Sequence, residues 1–360
     1  MEAPLEIAQS LFEQNKYQEA INSCNKILAR DNSSFDALKL LAKSSLAIGK
    51  IEDARLYLNQ ALNHKSDDYE LIKDLGNTYQ ACGDINTAKN YYLKSISINN
   101  NYAPALTNLG SLELKNGSKE SALSLLIKAT QSDPNLAAAW INLANGYIQY
   151  NKTEEAKNAV KKSIEINPNL FNSHFLFATI LIGQNKLQEA EKSLRKTIEI
   201  NPDFFQAYLN LAAVLKDLGQ LKEAETVCRK AIKLNSTLFN SHFLLAGILI
   251  AQQKPEQAQA PLLKTIELKP NHAEAHNNLG ILFKNLGKLQ QAEASLLKTI
   301  ELKPDLAEAH NNLGIIFKNL GKLNKAEIAL KKALDLKKNF AEAHFNLGAL
   351  LNNLGKLKEL

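Results

Sequence analysis

Five histidines share one register of this chain, His174, His242, His276, His310 and His344, each 34 residues or twice that from the next. Imidazole is the commonest metal ligand, so a ladder of imidazoles is the first chemistry to test. Zinc needs several ligand atoms at ~2.0–2.1 Å at once. Side chains supplied one per repeating unit stand a helix spacing apart, ~8–10 Å. The register is therefore read as a packing position, and no metal is assigned. The pairs Gly287–Lys288, Gly321–Lys322 and Gly355–Lys356 look like a phosphate loop, but no Ser or Thr follows and the preceding glycine is seven residues back. No nucleophile elbow, paired-histidine metalloprotease motif or dinucleotide fingerprint occurs. Carboxylates such as Glu293 and Glu327 suit a solvated helix face. Cys24, Cys82 and Cys228 are odd in number and far apart, neither a disulfide framework nor a zinc set. The chemistry excluded here is catalysis, and no cofactor is implied.

A second register is more informative. Asn108, Asn142, Asn210, Asn278, Asn312 and Asn346 recur in the same frame, with Asp74 one unit earlier. Core packing gives no reason for a polar amide at this period. Asn carries a donor and an acceptor, so a row of amides can bond the backbone of an extended peptide whatever its side chains; bonding within or between helices is the bland alternative.

The elements that position these residues follow from the period. The stretch from Ala273 reads AEAHNNLGILFKNLGKL, returns as AEAHNNLGIIFKNLGKL from Ala307 and again as AEAHFNLGALLNNLGKL from Ala341. A fixed period of this size marks stacked repeats. Full units occupy 1–34, 35–68, 69–102, 103–136, 137–170, 171–204, 205–238, 239–272, 273–306 and 307–340, with a partial eleventh over 341–360. Position 8 of every unit is Gly or Ala, position 20 is Ala in all ten full units, and position 27 is small except at Ile27. Small residues let helices approach closely. Larger apolar residues between them, such as Leu279, Phe283, Leu289 and Leu296, keep helical spacing. Position 15, often Gly (Gly49, Gly83, Gly117, Gly219, Gly287, Gly321, Gly355), suits the left-handed residue that ends a helix. Proline at position 32 (Pro134, Pro168, Pro202, Pro270, Pro304) stops the second helix. Each unit reads as two antiparallel helices, and the fold class is all-α. Pro261 falls inside a second helix, where it removes a backbone hydrogen bond and is expected to kink the helix at ~3 kcal/mol.

Composition narrows the function. The net charge of +6 rests on 43 basic residues of which only Arg30, Arg55, Arg195 and Arg229 are arginine. Arg is the side chain suited to forked phosphate recognition, and lysines spread evenly beside glutamates form no basic stripe, so nucleic acid is not expected as a partner. No apolar run reaches the ~18 residues of a membrane span, and the acidic, amphipathic start is no signal peptide. Free cysteines fit a reducing compartment, and the expected location is cytoplasmic.

Taken together, these positions resemble the tetratricopeptide repeat (TPR) family over essentially the whole chain. Trp140, Leu143, Ala144, Tyr147, Ala156 and Pro168 match its pattern, as do Leu75, Gly76, Tyr79, Ala88 and Tyr92. The resemblance implies an α-α superhelix, a right-handed TPR solenoid with first helices lining a concave groove. It places positions 2, 5, 6, 9, 12 and 13 in that groove. The asparagine row then resembles the ladder inside the superhelical TPR arm of O-linked N-acetylglucosamine transferases. Lys216, Lys284 and Lys318 at position 12 would add donors. Units six and eight carry near copies, FNSHFLFATILI and FNSHFLLAGILI, whose Phe175 and Phe243 would form apolar pockets to either side of Asn210. A chaperone-type carboxylate clamp is poorly matched: Lys73, Asn77 and Asn108 fit, but Ala138 and Asn142 stand where Lys and Arg are needed.

The expectation is a non-catalytic scaffold that binds protein or peptide segments in its groove. The alternative is the substrate-recruiting arm of a longer glycosyltransferase or sulfotransferase continuing past Leu360. The eleventh unit stops where its second helix would begin, and a solenoid end without a polar cap suggests either a longer protein or self-association through that helix.

Overall fold

A computed structural model describes residues 4–353; the end of the partial eleventh unit, with Gly355–Lys356, lies outside the described residues. The described residues form twenty-one α-helices and no strand. The first helices of successive units are α1 (Pro4–Glu13), α3 (Phe35–Ala47), α5 (Tyr69–Ala81), α7 (Ala103–Asn116), α9 (Ala137–Gln149) and α11 (Phe171–Gly183). They continue as α13 (Phe205–Asp217), α15 (Phe239–Ala251), α17 (Ala273–Asn285), α19 (Ala307–Asn319) and α21 (Ala341–Asn353). The even-numbered helices between them are the second helices, among them α6 (Ile85–Ile98) and α16 (Pro255–Leu268). The chain divides into two bodies, Met1–Ile180 and Leu181–Leu360.

Consecutive helices pack on one another from α1 to α10 in the first body and from the helix after α11 to α21 in the second. Several odd-numbered helices also touch the next odd one, α1 with α3 and α7 with α9 in the first body, α13 with α15, α17 with α19 and α19 with α21 in the second. Even-numbered helices show no comparable pairing among the described residues. The first helices therefore line the tighter, inner side of each stack.

The small positions set this geometry. Ala20, Ala54, Ala88, Ala122 and Ala156 in the first body and Ala190, Ala224, Ala258, Ala292 and Ala326 in the second are 0% exposed. Position 8 meets position 24 of the same unit. A Cβ on Gly76 would lie 2.6 Å from the Tyr92 ring, and on Gly110, Gly280 or Gly314 it would lie 2.6–2.7 Å from Leu126, Leu296 or Leu330. Where position 8 is Ala, position 24 is Cys in units one and seven (Cys24, Cys228), Val in unit five (Val160) and Leu in units two, six and eight (Leu58, Leu194, Leu262), all 0% exposed. The close approach is thus met by several small–large pairs.

Turns inside the units use the left-handed conformation at position 15. Gly49, Gly83, Gly219, Gly287 and Gly321 have φ between 72° and 81°, and Asn15, Asn151, Asn185 and Gln253 take the same place at 56° to 61°. Gly117 does not follow: its φ is −139°, and α7 runs on to Asn116. The cause is local. The Glu113 carboxylate, held by Lys89 at 2.6 Å, lies over Gly117 where a Cβ would collide with it. Ser118 then caps the next helix through its hydroxyl. Pro261 is buried within α16, which runs unbroken for the same 14 residues as its counterpart Leu289–Leu302.

Candidate functional site

The inner faces of the first helices carry the polar registers. The histidine register resolves into a repeated staple. Nε2 of His174 lies 2.9 Å from the Pro168 carbonyl, and His276 and His310 repeat this at 2.9 Å with Pro270 and Pro304. His242 and His344 do the same with Ser236 at 3.0 Å and Lys338 at 2.8 Å. In unit five the Trp140 indole N–H donates to the Pro134 carbonyl at 2.8 Å. Each ring ties the start of a first helix to the loop before it, so the proton sits on Nε2 and the ring serves its own loop.

The asparagine row is not uniform. In the first body Asn108 donates to Asn77 Oδ1 at 2.7 Å, and Asn77 donates to Asp74 Oδ1 at 3.2 Å. Lys73 also donates to Asp74. The buried Tyr92 hydroxyl donates to Gln80 Oε1 at 2.6 Å and lies 2.9 Å from Asn77 Oδ1. Burial raises the Tyr92 pKa well above the ordinary phenol value. Asn142 donates to the Ala138 carbonyl of its own helix at 2.9 Å. Nearby, Lys39 bonds Glu70 at 2.8 Å and holds that carboxyl below its ordinary range. The three residues that fitted a carboxylate clamp, Lys73, Asn77 and Asn108, are thus bonded into one another's network. This inner face satisfies itself.

In the second body three members of the same register stand open. Asn210 and Asn278 are half-buried and Asn312 is 9% exposed, and none has a hydrogen-bond partner among the described residues. The Oδ1 of Asn277 is buried without a partner as well. Unit ten contrasts with it: Asn311 donates to Glu342 at 3.2 Å and accepts from Asn346 at 3.0 Å. The Oδ1 of Asn277 lacks the donor that Asn311 Oδ1 finds in Asn346, since Asn312 in the equivalent place makes no such bond. Glu308, in the place of Glu342, is held by Lys337 at 3.0 Å.

Lys284 and Lys318 are half-buried and form no ion pair among the described residues, while Lys216 sits 3.6 Å from Asp217. Phe175 is half-buried on α11 of the first body, beside Leu176, which packs against a core including Ala144 and Val160. Phe243 is half-buried on α15, its ring 4.8 Å from that of His272, and Ile250 further along is 41% exposed. Sequence reasoning did not single out Asn277 or Asn311, and it named Asn77 only for a carboxylate clamp and Tyr92 only as a pattern match. The Asn–Asn doublets at positions 5 and 6 of units nine and ten were the available signal.

Residues 2–279 match the family model described as cilia and flagella-associated protein 70 C-terminal domain, and 273–306 and 307–340 each match a tetratricopeptide repeat model. No curated protein matches the chain. Among solved structures, the C-terminal part of a TPR repeat-containing protein from Cytophaga hutchinsonii is similar at 17% identity and TM-score 0.56, covering 67% of this chain and 99% of that one. PilF of Pseudomonas aeruginosa is similar at 19% identity and TM-score 0.52, covering 59% and 96%. YrrB, described as a TPR protein with an unusual peptide-binding site, is 26% identical with TM-score 0.48, covering 52% and 97%. No described helix is long and apolar enough to cross a membrane. Repeats of this kind generally mediate protein–protein interaction. With helical hairpins at a 34-residue period along the described chain and family models matching from residue 2 to 340, the chain belongs to the tetratricopeptide repeat proteins, in the family of the cilia and flagella-associated protein 70 C-terminal domain.

Proposed function

We propose that this chain is a non-catalytic interaction scaffold that binds extended peptide segments on the inner face of its second body. Asn210, Asn278 and Asn312 bond the ligand backbone, and Phe243 with Ile250 offers an apolar contact for a ligand side chain. The observation that carries this reading is the contrast in partners. Asn108, Asn142 and Asn346 spend their amides inside the chain, whereas Asn210, Asn278 and Asn312 do not. A buried polar group without a partner costs ~1–3 kcal/mol, and a groove-lining amide recovers that from water or from a ligand. The first-body amides of Asn108 and Asn142 are already bonded within the chain, so no ligand contact is assigned to them. Three free thiols suit a reducing, cytoplasmic setting.

The test is a peptide selected from an unbiased display library against the wild-type chain. Asn278→Ala with Asn312→Ala removes two backbone hydrogen bonds, an expected loss of roughly fivefold to a hundredfold in affinity. Helix content should not change. Equal binding by wild type and double variant would sink the reading.

A further inference from the structure

This inference rests on the peptide-binding reading above and names the kind of peptide. Lys284 and Lys318 stand two turns beyond Asn277 and Asn311, on the same stripe as Ile281 and Ile315. Several lysines of the same region are matched by carboxylates of the chain itself, Lys264 with Glu267 and Lys298 with Glu301 on second helices and Lys322 at a helix start with Glu293. Lys325 and Lys332 form no ion pair among the described residues. Lys284 and Lys318 have no such partner among the described residues. Of the acids that open their helices, Glu308 is neutralised by Lys337. Both acids stand ten residues from the lysine, ~15 Å along the helix axis. Two ammonium groups without an ion pair among the described residues thus stand in equivalent places one repeat apart, at the position the family resemblance assigns to the groove.

The repeat fixes the ligand's period. α17 and α19 are in contact, and packed helices lie ~8–10 Å apart. A β-strand rises ~3.3 Å per residue and returns to the same side every second residue, so its like-facing side chains fall at ~6.6 or ~13 Å and miss this spacing. A polyproline II segment returns to the same side every third residue, at ~9.3 Å, and matches it. That conformation has no internal hydrogen bonds, so its backbone is free for the amides of Asn278 and Asn312. We propose that the inner face of units nine and ten recognises an acidic segment in polyproline II conformation with a carboxylate at every third residue, successive carboxylates meeting Lys284 and Lys318.

The experiment uses synthetic peptides of about twelve residues, roughly four polyproline II turns. They share one composition, with glutamate at every second, third or fourth position. Glutamine and lysine analogues of the every-third peptide complete the set. Affinities are read by fluorescence anisotropy on the whole chain and on its Lys284→Glu/Lys318→Glu variant. The every-third glutamate peptide should bind the wild type tightest, by about fivefold to thirtyfold over its glutamine analogue, with the advantage shrinking as salt is added. The double reversal should move that preference to the lysine analogue. Affinities independent of spacing, or unchanged by the reversal, would overturn the proposal. If the glutamine peptide binds as well as the glutamate one and loses affinity in Asn278→Ala/Asn312→Ala, the peptide groove stands and this inference alone fails. Absence of binding by every one of these peptides while a library-selected peptide still binds overturns this inference alone. Failure of the library-selected peptide as well overturns both.

Discussion

Gly76→Ala places a methyl where the fold has no room. The added Cβ would sit 2.6 Å from Cε1 and 2.8 Å from Cδ1 of Tyr92, a ring that is 0% exposed. Ordinary carbon contacts begin near ~3.5 Å, so ring or helix must shift by most of an ångström. The ring is poorly placed to do so, because its hydroxyl is held 2.6 Å from Gln80 Oε1 and 2.9 Å from Asn77 Oδ1. Alanine in a helix interior gains ~1 kcal/mol over glycine. Against it stand ~1–3 kcal/mol of overpacking and ~0.5–1.5 kcal/mol for a strained or lost hydroxyl bond. The net is a destabilisation of about 0.5–3.5 kcal/mol. Tyr92→Leu in the same chain should recover much of it, because Ala42 and Leu58 already form that pair in unit two with both residues 0% exposed. A solenoid need not unfold in one step, so the assay is native-state hydrogen exchange of the α5 and α6 amides beside the urea midpoint. Faster exchange in these helices is expected for the single variant, and partial recovery for the double. A Gly76→Ala chain as stable as wild type, or more stable, would refute the packing argument.

Three further outcomes follow from the same structure. His310→Phe keeps ring volume but loses the bond to the Pro304 carbonyl, costing ~0.5–1.5 kcal/mol, and His310→Trp should restore it as Trp140 does at Pro134; urea denaturation of the two variants checks this. Burial pushes the Cys24 thiol up to about 11 and Cys228 to about 12, while Cys82 is exposed. An aromatic disulfide reagent near neutral pH should therefore modify Cys82 alone until denaturant is added. Burial, with nearby acids in the case of Tyr102, also raises the pKa values of Tyr92 and Tyr102. Groups held more acidic-resistant when folded stabilise the fold below the ordinary phenol value of about 10 and lose that contribution as pH climbs beyond it. Ultraviolet titration should show these two phenols ionising last, together with unfolding.

The repeat frame was legible in the sequence because its cause is steric. Positions 8, 20 and 27 are contact points between helices, and anything larger than a methyl at position 20 has no space. Position 15 was legible for a conformational reason, and Gly117 escaped it because Glu113 and Ser118, both ordinary for a helical hairpin, redirect that turn. The histidines were legible as structural residues, but not as donors to the preceding loop, since the acceptor is a backbone carbonyl that any sequence supplies. The asparagine row shows the deeper limit. Units nine and ten share the string AEAHNNLG, yet Asn311 is bonded on both sides and Asn277 is not. Whether an amide oxygen is open depends on whether an amide of the next unit reaches it.

The most direct measurement is the side-chain amide spectrum of a chain labelled with nitrogen-15 in asparagine, titrated with a library-selected peptide. Single Asn→Ala variants assign the signals. The expected result is that the amide resonances of Asn210, Asn278 and Asn312 shift on saturation while those of Asn77 and Asn108 stay in place. A saturating peptide that leaves these three unmoved, or shifts Asn77 and Asn108 instead, would contradict a binding face built from the open amides of the second body.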